Sequence, residues 1–523
     1  MKNFITLTLL LLFCITLYTL TVRGQFGNLR ADQVKGNLDQ ATKPFELSPE
    51  RGRYILTLSL SEYKSFALTQ ELADAAFPDI GYYKGRYYLY FAPGISLLSL
   101  PLFNLGKNFN LSQVAAFFTI SLFATLNLLL IFKIAYDIFK SSSRTALISA
   151  FIFGFASTSW SYAITLYQHH VTTFFILSSF YAVWRYKQSK KWGWVWGAYI
   201  WFACSYSIFI DYPNVFLMLP VMIYYVLSSI SIDKIKNRIQ ISLRKTFLIT
   251  SLIFILFNLG HAYYNQVNFG DWKKVSGKLP SYKKIKEQKA LTNGQTEKIV
   301  KELQEKKTYS RFFKEERLPT GLSILLFAVD KGIFLFSPIF ILSIFGMLIV
   351  KKIDLKLLTL YLTIAVNLFL YSSFGDPWGG WAYGPRYLIP SMAILSIFVG
   401  VWLTNTKHLI LSRLVTLILF CYSSFIALLG ALTTNQVPPK VEADFLKMKY
   451  NFLLNWDYFI DGRSGSFIFN EFASKYMNLQ QYFLLIYIPL ILIVFTLLFI
   501  VPLFEKKGIK KPVPLSGTVP KTN

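Results

Sequence analysis

Long uninterrupted apolar runs recur along this chain, separated by short polar connectors. The runs fall at 4–22, 112–138, 144–163, 166–186, 192–209, 213–231, 245–265, 331–350, 356–373, 384–404, 408–432 and 480–502. Most are close to the roughly 20 residues that a helix rising ~1.5 Å per residue needs to cross hydrocarbon. Apolar residues are continuous within each run rather than alternating, so helices are expected and not barrel strands. Only those two architectures satisfy their own backbone polar groups in lipid. The expected fold class is an all-α polytopic membrane protein with about twelve transmembrane helices. A further run, Ala92 to Leu105, is short for a crossing and reads as a re-entrant or interfacial helix.

The connectors divide into two sets. KSSSR near 140, RYKQSKK near 185, DKIKNRIQISLRK near 233, KKIDLK near 351, TK at 406 and the tail EKKGIKK are short and mostly basic. The bias of Lys and Arg toward the cytoplasm places them inside, with both termini. The opposite set comprises 23–111, LYQHH near 168, IDYP near 211, 266–330, GDPWGGWAYGPR near 380 and 433–479, all on the outer face. Counting 92–105 as a crossing would invert this parity. Residues 4–22 follow Lys2, and Thr-Val-Arg-Gly-Gln offers no small-x-small cleavage site, so they read as an uncleaved first span. The organisation expected is a module over 1–432, with a large first outer loop (23–111) carrying interfacial helices and a basic outer loop (266–330). An outer loop plus final span (433–504) and a disordered cytoplasmic tail (505–523) follow it.

Composition narrows the function classes. Of 523 residues, 54% are hydrophobic and only 15% charged, too little charge for a soluble domain of this length. The net charge of +27 would suit nucleic acid, but much of it lies in the connectors, where orientation and anionic headgroups explain it. Membrane lipids, and no nucleic acid, are the partners implied. The stretch 271–317 is rich in Lys and Glu, and EKIVKELQEKK at 297–307 suits an exposed helix with i,i+4 pairing. Cys14, Cys204 and Cys421 lie in apolar runs without metal-ligand spacing and read as small core residues.

Polar motifs gather in the outer set. The first outer loop holds Asp32, Asp39, Glu46, Glu50, Glu62, Glu71, Asp74 and Asp79. Most suit a solvated loop with amphipathic helices lying on the membrane. Two strings stand apart: SPERGRYILTLSLSE, 48–62, and PDIGYYKGRYYLYFAPG, 78–94. Glu50-Arg51-Gly52-Arg53-Tyr54 resembles the D-E-x-R-Y motif in the first outer loop of GT-C glycosyltransferases. Gly85-Arg86-Tyr87-Tyr88-Leu89-Tyr90-Phe91-Ala92-Pro93-Gly94 is similar to a G-H-Y-Y-S-D-K-A-P-G pattern in bacterial relatives. GT-C enzymes are polytopic and use a polyprenyl-phosphate-linked sugar. The resemblance implies Glu50 in the place of a catalytic Asp. It also implies a bacterial plasma-membrane setting and an acceptor hydroxyl on a lipid, glycan or protein. Phe91 stands where the pattern has a phosphate-facing lysine, so Lys84, Arg86 and Arg386 are the substitutes.

The chemistry fits those residue types. Glycosyl transfer needs a base for the acceptor proton and cations for the departing phosphate. Glu50 and Asp79 are the candidate catalytic acids. Arg53, whose fork binds oxyanions bidentately, is a candidate substrate contact, and Glu62 is a lesser one. GDPWGGWAYGPRYLIP, 375–390, is too rich in glycine and proline for a regular helix. It resembles W-G-G-W-x-Y-G-P-R-Y in the same relatives. It reads as an aromatic interface anchor, or as a sugar or polyprenyl platform from Trp378, Trp381 and Tyr383 with Arg386 facing phosphate. His169 and His170 end a span on the outer side, as bystanders or as acceptor or phosphate contacts. Asp211 precedes Pro213, which would begin a helix, so Asp211 reads as its cap. Asp330-Lys331 precede GIFLFSPIF, similar to an R-G-L-F-F-Y-S-P pattern, and suit a local ion pair or a phosphate contact. No metal and no cofactor are expected. A transporter or flippase competes as a class and would bury ionisable residues mid-span. A non-catalytic scaffold is a third possibility.

Overall fold

The computed structural model describes residues 2–36, 40–189, 191–235, 238–287 and 313–503. The helix expected at 297–307 and the tail 505–523 lie outside the described residues. Helix occupies every one of the apolar runs. Among the described residues, eight helices are long and apolar enough to cross a bilayer: Phe4–Thr21, Ser112–Ile138, Gly193–Ile210, Lys245–Phe269, Leu355–Ser372, Arg386–Asn405, Ile410–Leu432 and Leu479–Leu503. His169–Gln188 adds a more polar helix of 20 residues. Three runs carry shorter apolar helices, Ser143–Phe155, Asn214–Ser229 and Pro338–Ile349.

The short helices have local causes. Pro213, Pro220 and Pro338 lack the N–H that would continue a helix through them. The run 144–163 breaks because Ser157 and Ser159 both turn their hydroxyls onto the Phe153 carbonyl, at 2.6 and 2.5 Å. Such side chains compete with the backbone ladder. The run expected as re-entrant is the 14-residue helix Gly94–Lys107, continuous through Pro101. Gly94 lets it pack tightly: a Cβ there would lie 2.4 Å from the Phe209 carbonyl oxygen.

The first outer loop differs from a set of solvated surface helices. Its helix Ser48–Glu62 is buried without a break from Glu50 to Leu60. Polar partners make that enclosure tolerable. Thr57 and Ser99 share a hydroxyl bond of 2.9 Å, Ser96 donates to the Arg53 carbonyl, and the Tyr54 hydroxyl meets Ser112 and the Leu29 carbonyl. The described residues also hold two small hairpins. Ile80–Tyr83 pairs with Arg86–Leu89, and Ile230–Ile235 pairs with Arg238–Leu243. The first turns through Lys84 and Gly85, both at positive φ, the two-residue geometry that matches strand twist.

Connectors of each set meet their own kind. At one end, Tyr90 and Tyr212 both bond Ser276, and Arg23 forms a β-bridge with Ser466. There too the Asn435 N–H donates to Glu46. At the other, Tyr186 meets Thr246 and Thr404 meets Ser141. The chain is a polytopic membrane protein with its outer-set motifs gathered at one end of the bundle.

Candidate active site

Glu50 sits in the first turn of Ser48–Glu62, which begins with Pro49 near N1. Its side chain is held at both oxygens: Oε1 accepts the Leu47 N–H at 3.0 Å and Oε2 accepts the Thr165 hydroxyl. The residue is 1% exposed. Close by is a buried ion pair, Arg23–Glu46, 2.6 Å apart with neither side chain exposed. Glu46 also accepts the Thr42 and Asn435 N–H groups, each at 2.7 Å. Arg23 donates to the Gly430 carbonyl. Burial, and then the negative charge of Glu46, push the Glu50 carboxyl up to about 7, although Thr165, Arg23 and the Leu47 N–H pull the other way.

Asp79 stands just before the first hairpin, and its Oδ2 accepts the Ser48 hydroxyl at 2.5 Å. Burial raises its pKa, against the pull of Ser48, Arg51, Arg53 and Arg386. Arg51 donates to the Phe77 carbonyl. Arg53 is 1% exposed and makes only long contacts, 3.4 Å each, to the Pro49 and Leu166 carbonyls. Its guanidinium lies 4.6 Å from the Phe91 ring centre and 5.9 Å from that of Tyr167, and its Nε has no partner. Burial draws it down to about 10, opposed by Asp211. Phe91, in the place of a phosphate-facing lysine, thus offers its ring to an arginine.

Asp211 does not cap the next helix. Helix Asn214–Leu217 has no side-chain cap, and only the Asp211 backbone oxygen takes the Asn214 N–H. Its carboxylate instead accepts from Gln168 at 3.1 Å and lies within electrostatic reach of Arg53. Burial raises its pKa.

The glycine-rich string 375–390 folds back on itself. Gly379, Gly380 and Gly384 all have positive φ, which L side chains rarely adopt. Arg386 thereby donates to the Gly379 carbonyl at 2.7 Å. Its guanidinium stands 5.2 Å from the Tyr167 ring and 5.5 Å from that of Tyr387, with Nε and Nη1 unpartnered. Tyr387 stacks on Tyr371 at 4.2 Å.

Other parts of the string fasten it down. The buried Tyr383 donates to the Ile426 carbonyl at 2.6 Å and exchanges hydrogen bonds with the Tyr162 hydroxyl. Trp381 donates to Glu442, and Trp378 is half-buried. Lys331 donates to the Ala382 and Val437 carbonyls, while Asp330 takes the Lys440 N–H. Those two neighbours therefore latch separate segments together.

The two histidines part. His169 stacks on Tyr167 and meets the edge of Tyr387, at 6.0 and 6.1 Å, inside the cluster. His170 turns inward to the Ser159 carbonyl, 2.8 Å from Nε2. Glu62 lies outside the cluster. It is exposed and paired with Lys107 at 3.2 Å, about 18 Å along the helix from Glu50 at ~1.5 Å per residue. Lys84 and Arg86 are exposed at the hairpin turn.

Glu50, Asp79, Arg53, His169 and Arg386 therefore converge. Arg23, Glu46, Thr165, Tyr167 and Asp211 join them, and no sequence motif marked these five for the site. Among the described residues no group of three or more His, Cys, Asp or Glu is placed to hold a metal. A lateral groove lined by Ser205, Tyr206, Phe209, Leu256, Phe257, Gly260 and His261 runs between helices Gly193–Ile210 and Lys245–Phe269. It reaches Phe209, two residues short of Asp211.

No family model matches the sequence, and no curated protein matches it. Solved structures do. ArnT from Cupriavidus metallidurans bound to undecaprenyl phosphate matches at 13% identity and TM-score 0.46, over 97% of this chain and 81% of that one. Apo ArnT matches at 12% and 0.49, over 95% and 77%. The archaeal oligosaccharyltransferase AglB from Archaeoglobus fulgidus, in complex with an inhibitory peptide and a dolichol-phosphate, matches at 11% and 0.44. That match spans 85% of this chain and 57% of AglB.

Proposed function

We propose that this chain is a membrane glycosyltransferase that moves a sugar from a polyprenyl-phosphate carrier to an acceptor hydroxyl on the outer face of the plasma membrane. The observation that carries this reading is one cluster containing two complementary parts. One is a buried carboxyl poised at about 7. The other is a pair of guanidinium groups, Arg53 and Arg386, each with an unpartnered buried N–H and each within 6 Å of the Tyr167 ring centre. Buried donors without partners are costly, and a phosphate oxyanion is the ligand that matches them.

In this mechanism Glu50 takes the proton of the acceptor hydroxyl, and a base titrating near neutrality suits that task. The acceptor oxygen bonds to the anomeric carbon as the bond from that carbon to the phosphate oxygen breaks. Arg53 and Arg386 hold the phosphate as its charge grows. Asp79 and Asp211 face Arg53 and keep it oriented. His169 and Tyr387 supply walls for the sugar. Lys84 and Arg86 serve the periphery, and the isoprenoid chain reaches the site laterally from lipid.

The test is transfer of radiolabelled sugar in membranes carrying Glu50→Gln or Asp79→Asn. Loss of transfer at unchanged protein level is expected for Glu50→Gln, with a smaller loss for Asp79→Asn. Transfer that survives both substitutions would remove the assigned base.

A further inference from the structure

The ion pair Arg23–Glu46 lies deep in the molecule, yet it is not simply a tether. Glu46 lies four residues before Glu50, in the non-helical lead-in to helix Ser48–Glu62, and both carboxylates are fully enclosed. Arg23 follows the first span and bonds Glu46, while the Asn435 N–H closes on the same Glu46 oxygen. The pair is thus fixed from three distant parts of the chain, beside a carboxylate that has no cation in direct contact among the described residues. We infer that Arg23 and Glu46 are positioning residues that set the charge state of Glu50, and through it the pH range over which the centre works.

This rests on the reading of Glu50 as the base. The titratable groups facing Glu50 are few: Glu46 from its own lead-in segment, Arg23 from the end of the first span, and Tyr162 and Tyr167 from the segment before His169. Arg53 and Arg386 lie beyond, across Tyr167. Glu46 acts on Glu50 more strongly than Arg23 does, and in the opposite sense. The pair as a whole therefore favours the protonated acid.

The signs follow. Glu46→Gln keeps an acceptor for a backbone N–H but leaves Arg23 cationic beside Glu50, which favours the carboxylate. The acid limb of the pH–rate profile moves to lower pH by roughly one unit, the shift typical of an opposite charge at close range. Arg23→Gln/Glu46→Gln removes both charges and leaves no buried ion unpaired. Its limb also moves down, by less than in the single variant. The experiment is labelled-sugar transfer from pH 5 to 9 in membranes carrying wild type, both variants and Glu50→Gln. It is joined by infrared titration of the carboxyl band that disappears in Glu50→Gln. The expected order of midpoints is Glu46→Gln, then the double variant, then wild type. Should the single variant fail to accumulate, the double variant alone must still show the downward move. Midpoints unchanged with only a lowered maximum overturn the inference and leave the pair a brace. An active Glu50→Gln overturns instead the reading of the base, and the infrared midpoints still report whether the pair governs Glu50.

Discussion

Replacing Glu50 by glutamine separates stability from activity in opposite directions. The carboxyl is held at about 7 rather than near 4.5, a displacement worth about 3 kcal/mol at 1.36 kcal/mol per unit. The sign is that of a folded state that binds the proton more tightly than the unfolded chain. Between pH 4.5 and 7 the native protein holds more protons, so its stability falls as pH rises. Above pH 7 the whole penalty is in force. Glutamine fits the same place: its oxygen can accept the Leu47 N–H and its amide can donate to the Thr165 hydroxyl, the two partners Glu50 has. Thermal unfolding of the purified protein in detergent, followed from pH 4.5 to 8.5, should show wild type losing stability across the window. The variant should lose less, with a difference that grows toward about 3 kcal/mol. Transfer should meanwhile fall by about 100-fold or more, the usual contribution of a general base. Parallel unfolding curves would refute the claim that Glu50 is buried as an acid.

Other substitutions test the remaining assignments. Arg386→Lys, which loses the planar fork, should raise the donor KM and lower transfer by about 100-fold, read from initial rates against donor concentration. Tyr383→Phe removes the buried bond to the Ile426 carbonyl; it should cost about 1 kcal/mol in thermal unfolding and leave transfer largely intact. Glu62→Gln and Lys84→Gln change exposed groups outside the cluster, and each should leave transfer rates within about twofold of wild type.

The two scales of information in the sequence differ in what they reveal. Spans are local: a continuous apolar run needs no distant partner, so 112–138 or 410–432 could be placed by composition alone. Connectors of one set also meet at one end of the bundle. The site is non-local. Glu50, Arg53 and Arg386 lie in strings unusual enough to single out, but their neighbours come from residues 23, 165, 167, 211 and 435, each plain in its own context. Asp211 beside Pro213 reads as a helix cap, and only the fold shows its carboxylate bonded to Gln168 instead. Within 375–390 the string does not say which aromatic faces outward. Tyr387 borders the cluster, whereas Tyr383 is fastened into the core. Helix 48–62 could not be read as enclosed, because the partners of Thr57 and Ser96 lie on each other's helix.

Arg23 and Glu46 are stitched to the segments at 430, 435 and 466, so the closure of the first outer loop waits on a stretch made much later in synthesis. A ribosome has released every reactive group proposed above, from Glu50 to Arg386, well before Asn435 and Ser466 emerge. Until those late residues arrive, the Glu46 carboxylate lacks the Asn435 N–H that completes its enclosure. A frameshift after residue 432 would spare the residues from Glu50 to Arg386 and still remove the Asn435 donor and the Ser466 bridge that close over Glu46 and Arg23.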